Sequence, residues 1–125
     1  MTTLGAGDIY RSRRSGGVHL PPENLGPVIN SDVIEHAPFI APDESYLIFS
    51  SSGHGAQAGN FHFLITHGTP DGDGSQPMPL DRITAPPEQS PCPLVTAGGE
   101  FMSFIGSRDI WWTRANFIEA MRSGR

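Results

Sequence analysis

The sequence has no lysine, a single cysteine and no long apolar run, and each lack narrows what the chain can be. One cysteine excludes an internal disulfide, and Cys92, set between prolines, has no second sulfur for a CxxC pair. No segment reaches membrane-spanning length, and the opening "MTTLGAGDIYRSRR" has no apolar core of signal-peptide length. The expectation is a soluble, cytoplasmic chain without membrane contact. All eight basic residues are arginines, against thirteen acidic ones, for a net charge of −5. That balance argues against a general nucleic-acid binder, whose affinity comes from neutralising phosphates. The arginines gather at the ends: between positions 15 and 107 only Arg82 stands against ten carboxylates. They read as solvated terminal charge.

What the sequence has in quantity is turn formers. The 15 Gly and 12 Pro make up more than a fifth of the 125 residues, and the hydrophobic share of 37% is low for a globular chain. One domain spanning 1–125, built from many short elements, is the simplest reading.

Two stretches resemble each other. "APDESYLIFSSSG" (41–53) and "TAGGEFMSFIGSR" (96–108) lie 55 residues apart, and residues 21–52 align with 76–107 without a gap. Leu25 meets Leu80, Pro38 meets Pro93, Tyr46 meets Phe101, Leu47 meets Met102 and Phe49 meets Phe104. A third echo runs through "GDIYRSR" (7–13), "GNFHFLI" (59–65) and "RDIWWTR" (108–114). The units are expected at 21–75 and 76–114, with a partial unit at 7–20.

Each unit reads as strands: a short one at 38–41, a Pro42-Asp43-Glu44 turn, a second at 45–51, a loop at 53–59, a third at 61–66, a turn at 69–76 and a weaker fourth near 78–83. "YLIF" is apolar at four successive positions, the mark of a strand covered on both faces. Phe39, Ile40, Tyr46, Leu47, Ile48, Phe49, Leu94, Val95, Phe101, Met102 and Phe104 form the expected core. A short helix is expected over 116–122, with Asn116 as cap, Glu119 as its capping-box partner, and Phe117, Ile118 and Met121 as its apolar stripe.

The run "SDVIEHAPFIAPDESYLIFSSSG", followed by "NFHFLI", resembles the TolB-type (WD-repeat-like) β-propeller repeat. Pro42-Asp43, the strand at 49–51, Asp8-Ile9-Tyr10 and the link "PENLGPVIN" carry the likeness, which covers about residues 7–118. The sequence departs from it at Glu44, where the family's turn has glycine, and at Ala97-Gly98-Gly99, which lacks Pro-Asp. The resemblance implies an all-β fold of propeller-like blades, each a four-stranded antiparallel sheet, with a short C-terminal helix. The strand count gives about two blades, whereas a closed propeller has about 4 to 8. Uncovered faces and edges invite association. A homo-oligomer, dimer or tetramer, is therefore expected, with Ile9, Tyr10, Arg11, Trp112 and Phe117 at the interface and the segment 8–13 lent to a neighbour.

Chemistry is sparse. His54, His62 and His67 match no zinc spacing. "DGDGS" (71–75) starts like a calcium loop, yet its twelfth position is Arg82. No GxSxG surrounds a serine, Cys92 reads as a small buried residue, and the pairs Asp43/Glu44 and Asp32/Glu35 suit surface turns. No catalytic residue, metal ligand or cofactor is assigned. His54, His62, Trp111 and Trp112 are the candidate ligand-binding residues, the indoles because they stack on a sugar, a base or a partner. The expected function is a non-catalytic interaction or ligand-binding module, with a protein or small molecule as further partner. The alternative is an accessory piece of a propeller-containing hydrolase.

Overall fold

The computed structural model describes residues 5–54, 61–68, 74–80, 92–106 and 109–122. The fold is all-β, with four antiparallel sheets and one short C-terminal helix. Among the described residues there are eleven strands, four of them in an N-terminal hairpin that breaks into short ladders.

That hairpin comes first. At its base β1 (Tyr10–Arg11) pairs with β4 (Glu23–Asn24), and at its tip β2 (Arg14–Ser15) pairs with β3 (Val18–His19). Gly16 and Gly17 close the tip with φ of 58° and 81°, the left-handed conformations of a two-residue hairpin turn. The Leu20 amide donates to the Arg13 carbonyl at 2.7 Å, bridging the two ladders.

The central sheet is a four-stranded meander of β5 (Glu35–Ile40), β6 (Tyr46–Ser51), β7 (His62–His67) and β8 (Met78–Pro79). Pro79 sits on the edge strand, where a missing N–H is tolerated. The third sheet contains β9 (Leu94–Val95), β10 (Phe101–Gly106) and β11 (Asp109–Arg114). The helix, α1 (Phe117–Arg122), follows directly, with Glu119 in its first turn and Arg122 in its last, both favourable to the helix dipole.

The first hairpins of these two sheets close alike. The Ala41 amide donates to the Tyr46 carbonyl and the Glu44 amide to the Ala41 carbonyl, at 3.0 and 2.8 Å. The Thr96 amide donates to the Phe101 carbonyl and the Gly99 amide to the Thr96 carbonyl, at 2.9 and 2.8 Å. Glu44 and Gly99 occupy the same turn position, with φ of 62° and 74°. Strand register agrees as well: Phe39 opposes Ile48 as Leu94 opposes Ser103, and Ile40 opposes Leu47 as Val95 opposes Met102.

The core explains "YLIF". Ile48, Phe63 and Ile65 point from one face of the central sheet into a cluster with Val95, Met102, Phe104, Leu80 and Ile118. Phe49 and Leu64 point from the other face into a second cluster with Ile9 and Ile29. The central sheet is thus packed between the N-terminal hairpin with its following turn and the third sheet with its helix. Phe63 and Phe104 meet edge to face across the first cluster, with ring centroids 5.6 Å apart.

Of the expected core, Ile48, Phe49, Val95, Met102 and Phe104 are buried, and Phe39, Tyr46, Leu47 and Phe101 partly so. Ile40 and Leu94 are exposed, which corrects the expectation for both. Ile40 shares the face of Leu47 but lies outside the cluster around Ile9, while Leu94 lies on a face that no described element covers. Cys92, expected to be buried, is exposed. The loop at 53–59, the turn at 69–76 and the strand end at 81–83 fall largely outside the described residues. No helix among the described residues is long and apolar enough to cross a membrane.

Candidate functional site

The third sheet has two faces of unlike environment. Residues directly opposite in an antiparallel pair share a face. Met102 and Phe104, buried toward the central sheet, therefore share theirs with Thr113 and Trp111, of which Trp111 is still 48% exposed. The other face carries Leu94, Phe101, Ser103, Ile105, Ile110, Trp112 and Arg114. Trp112 is 68% exposed and Ile110 73%. Phe101 meets the Trp112 ring edge to face at 5.3 Å, and the Arg114 guanidinium lies 5.7 Å from the Phe101 ring centre. β11 is also an edge strand of this sheet among the described strands.

The corresponding face of the central sheet is covered. Ile65 opposes Ile48 as Trp112 opposes Ser103, and Phe63 opposes Ser50 as Ile110 opposes Ile105. Ile65 and Phe63 are 0% and 3% exposed beneath the third sheet. Trp112 and Ile110 hold the same places one sheet further on, and they are bare.

The other candidate residues lie elsewhere. Ile9 is buried against Ile29, Phe49 and Leu64 of its own chain. Tyr10 and Arg11 are half-buried in the hairpin base, and Arg11 and Arg13 both donate to Glu23 Oε1, at 2.7 and 2.9 Å. Those two hydrogen bonds hold the Glu23 carboxyl below its usual range. The segment 8–13 is thus engaged in its own chain. Phe117 packs half-buried against the first core cluster. Trp111 and Trp112 point to opposite faces of β11, as adjacent strand residues must.

His54 follows β6 and His62 opens β7: the His62 ring bonds the Gly53 carbonyl at 2.9 Å, and the His54 ring bonds the Ile29 carbonyl at 2.7 Å. His67, at the end of β7, bonds the Ile118 carbonyl of α1 at 3.1 Å. Each histidine therefore serves a main-chain carbonyl and ties one segment to another. Burial is the main cause that lowers the His67 pKa from its ordinary value, aided by the charge of Arg122. The bond to Ile118 and the charge of Glu119 oppose the shift. Among the described residues no three His, Cys, Asp or Glu side chains converge on a metal position.

Two buried polar residues escaped the sequence reading. Asn30 mimics a strand: its Oδ1 accepts the Ile9 amide at 2.7 Å, and its Nδ2 donates to the Ile9 carbonyl at 2.9 Å. Glu35, 1% exposed, accepts the Ser31 amide at 2.7 Å and the Ser31 and Ser51 hydroxyls at 2.5 Å each. His54 Nε2 lies 4.0 Å from the same carboxylate. In sequence both look like ordinary loop residues, and Glu35 pairs on paper with Asp32, which is exposed. Glu35 is enclosed and its oxygens are occupied, so it pins the loop at 31 to β6.

No family model matches the chain, and no curated protein or solved structure matches it.

Proposed function

We propose that the chain is a non-catalytic interaction module of propeller-type blades, of the kind the TolB-type resemblance implies, acting as a homo-oligomer. The contact lies on the outer face of the β9–β11 sheet. One observation carries this reading: Trp112 and Ile110 are bare at positions whose counterparts, Ile65 and Phe63, are buried by the next sheet. The repeat reading rests on the two alike turns and registers 55 residues apart. Repeated sheets bury their faces only against neighbours, and a large uncovered apolar face marks an interface. A second copy presenting the same face gives a two-fold, self-limiting pair, whereas head-to-tail addition grows without closing. Arg114 gives the face a polar edge, and the aromatic centre of Phe101 and Trp112 is typical of an interface core.

Trp112 also serves a protein or small ligand by stacking, as a second role of the same face. His54, His62 and His67 each bond a main-chain carbonyl, so none of them lends specific support to the hydrolase alternative.

Light scattering at micromolar concentration tests the reading. The wild type should exceed the 13.5 kDa of one chain, and the Ile110→Lys/Trp112→Glu double variant should return to it with unchanged circular dichroism. A wild-type monomer, or an assembly indifferent to the two substitutions, overturns it.

A further inference from the structure

We propose that the cavity between β7, the segment leading into β8, and α1 binds a soft monovalent metal ion of the Cu(I) class, with the His67 imidazole and the Met78 and Met121 thioethers as ligands. The site is separate from the outer face of the third sheet and does not depend on self-association.

The cavity has a volume of about 360 Å³ and is lined by these three residues together with Gly68, Ser75, Gln76 and Arg122. The sequence has only four methionines, and two of them line the cavity that holds the buried histidine. Thioethers are soft ligands that favour Cu(I), whereas hard and borderline divalent ions prefer carboxylates or added thiolates and imidazoles. Among the described residues no carboxylate lines the cavity.

The second shell suits a ligand histidine. A metal-bound imidazole almost always donates its other ring N–H to a carbonyl or carboxylate, which fixes the tautomer. His67 has that arrangement: Nε2 donates to the Ile118 carbonyl at 3.1 Å, leaving the lone pair on Nδ1. The wall is built firmly, since the Ser75 amide donates to the His67 carbonyl at 2.8 Å and the His67 amide to Ser75 Oγ at 3.0 Å. The one cation on the lining, Arg122, is exposed, and Glu119 Oε1 lies 3.6 Å from its guanidinium, so a single added positive charge is tolerated there.

The test uses the full chain carrying Cys92→Ser, which removes a competing soft thiol. Ag(I) serves as the air-stable probe, and anaerobic Cu(I) is then measured against a chromophoric chelator. We expect one ion per chain. The methyl signals of Met78 and Met121 and the ring signals of His67 should shift in NMR spectra, while those of Met102 stay in place. Met78→Leu and Met121→Leu conserve volume, and each should weaken binding by roughly tenfold or more with the unfolding midpoint nearly kept. Arg122→Gln should bind the ion at least as tightly as its parent. No binding, binding untouched by both leucine variants, or Zn(II) held as tightly as Ag(I) would each overturn the site. Tighter binding of inorganic phosphate than of Ag(I), lost in Arg122→Gln, would make it an anion site instead.

Discussion

The central and third sheets begin with the same turn and the same strand register, yet one is covered on both faces and the other on one. In the central sheet, "YLIF" sends Ile48 to one cluster and Phe49 to another, and both residues are fully buried. In the third sheet, "FMSF" keeps Met102 and Phe104 inward but places Ser103 where Ile48 would be. The outer face is accordingly mixed: a serine at its middle, an arginine over Phe101, and Ile110 and Trp112 around them. That composition suits a surface that spends part of its life in water, because interfaces of exchanging partners are less apolar than cores. Coverage, more than strand sequence, separates a structural sheet from a presenting one.

The sharpest way to break this comparison is truncation on each side of it. Phe49→Ala should cost about 3–5 kcal/mol in denaturant unfolding, because it empties a buried site between two layers. Trp112→Ala, measured in dilute monomer, should stay within about 0.5 kcal/mol. Equal costs would erase the distinction between the sheets. Glu35→Ala comes next, at about 2–3 kcal/mol, since it leaves the Ser31 amide and the Ser51 hydroxyl without their buried acceptor. The turns sharpen the likeness of the two hairpins. Gly99→Ala should destabilise by about 1 kcal/mol, and Glu44→Gly should stabilise by somewhat less, because the position is left-handed in both. A stabilising Gly99→Ala or a destabilising Glu44→Gly in a thermal melt would show that the two turns are not equivalent.

Acidity probes the seam between the central sheet and α1. The His67 pKa is lowered in the folded chain, so the unfolded chain binds the proton more readily. This contribution to stability is full above the unfolded value, near 6.5, and is lost as the pH falls from there toward the folded value. Urea titrations between about pH 7 and 5 should show the decline, and His67→Gln should flatten it. A profile unchanged by the substitution would assign the dependence to other groups.

Much of this was legible in the sequence. The alternation of Ile48 and Phe49 between two layers followed from four successive apolar residues bounded by turns. The helix followed from Asn116, Glu119 and the stripe at 117, 118 and 121. The left-handed turn was marked by glycine at position 99 and hidden by glutamate at 44, since a glutamate gives no sign of a positive φ. Leu94 and Ile40 misled because periodicity reports which side a residue faces, not whether anything lies on that side. Glu35 and Asn30 could not be found from local pattern: their partners are Ser51 and Ile9, 16 and 21 residues away, and burial of a polar group depends on such distant contacts. The cavity at His67 was equally hidden, because Met78 and Met121 are 43 positions apart in the chain.

The central claim is that the outer face of β11 is an interface, and the protein carries its own reporter, since its only two tryptophans are Trp111 and Trp112. The decisive measurement is tryptophan emission as the protein is diluted from high to low micromolar concentration. Burial of Trp112 against a second copy should give a blue-shifted maximum at high concentration that moves to the red on dilution. The Ile110→Lys variant should emit in the red throughout. A red, concentration-independent maximum in the wild type would contradict the claim.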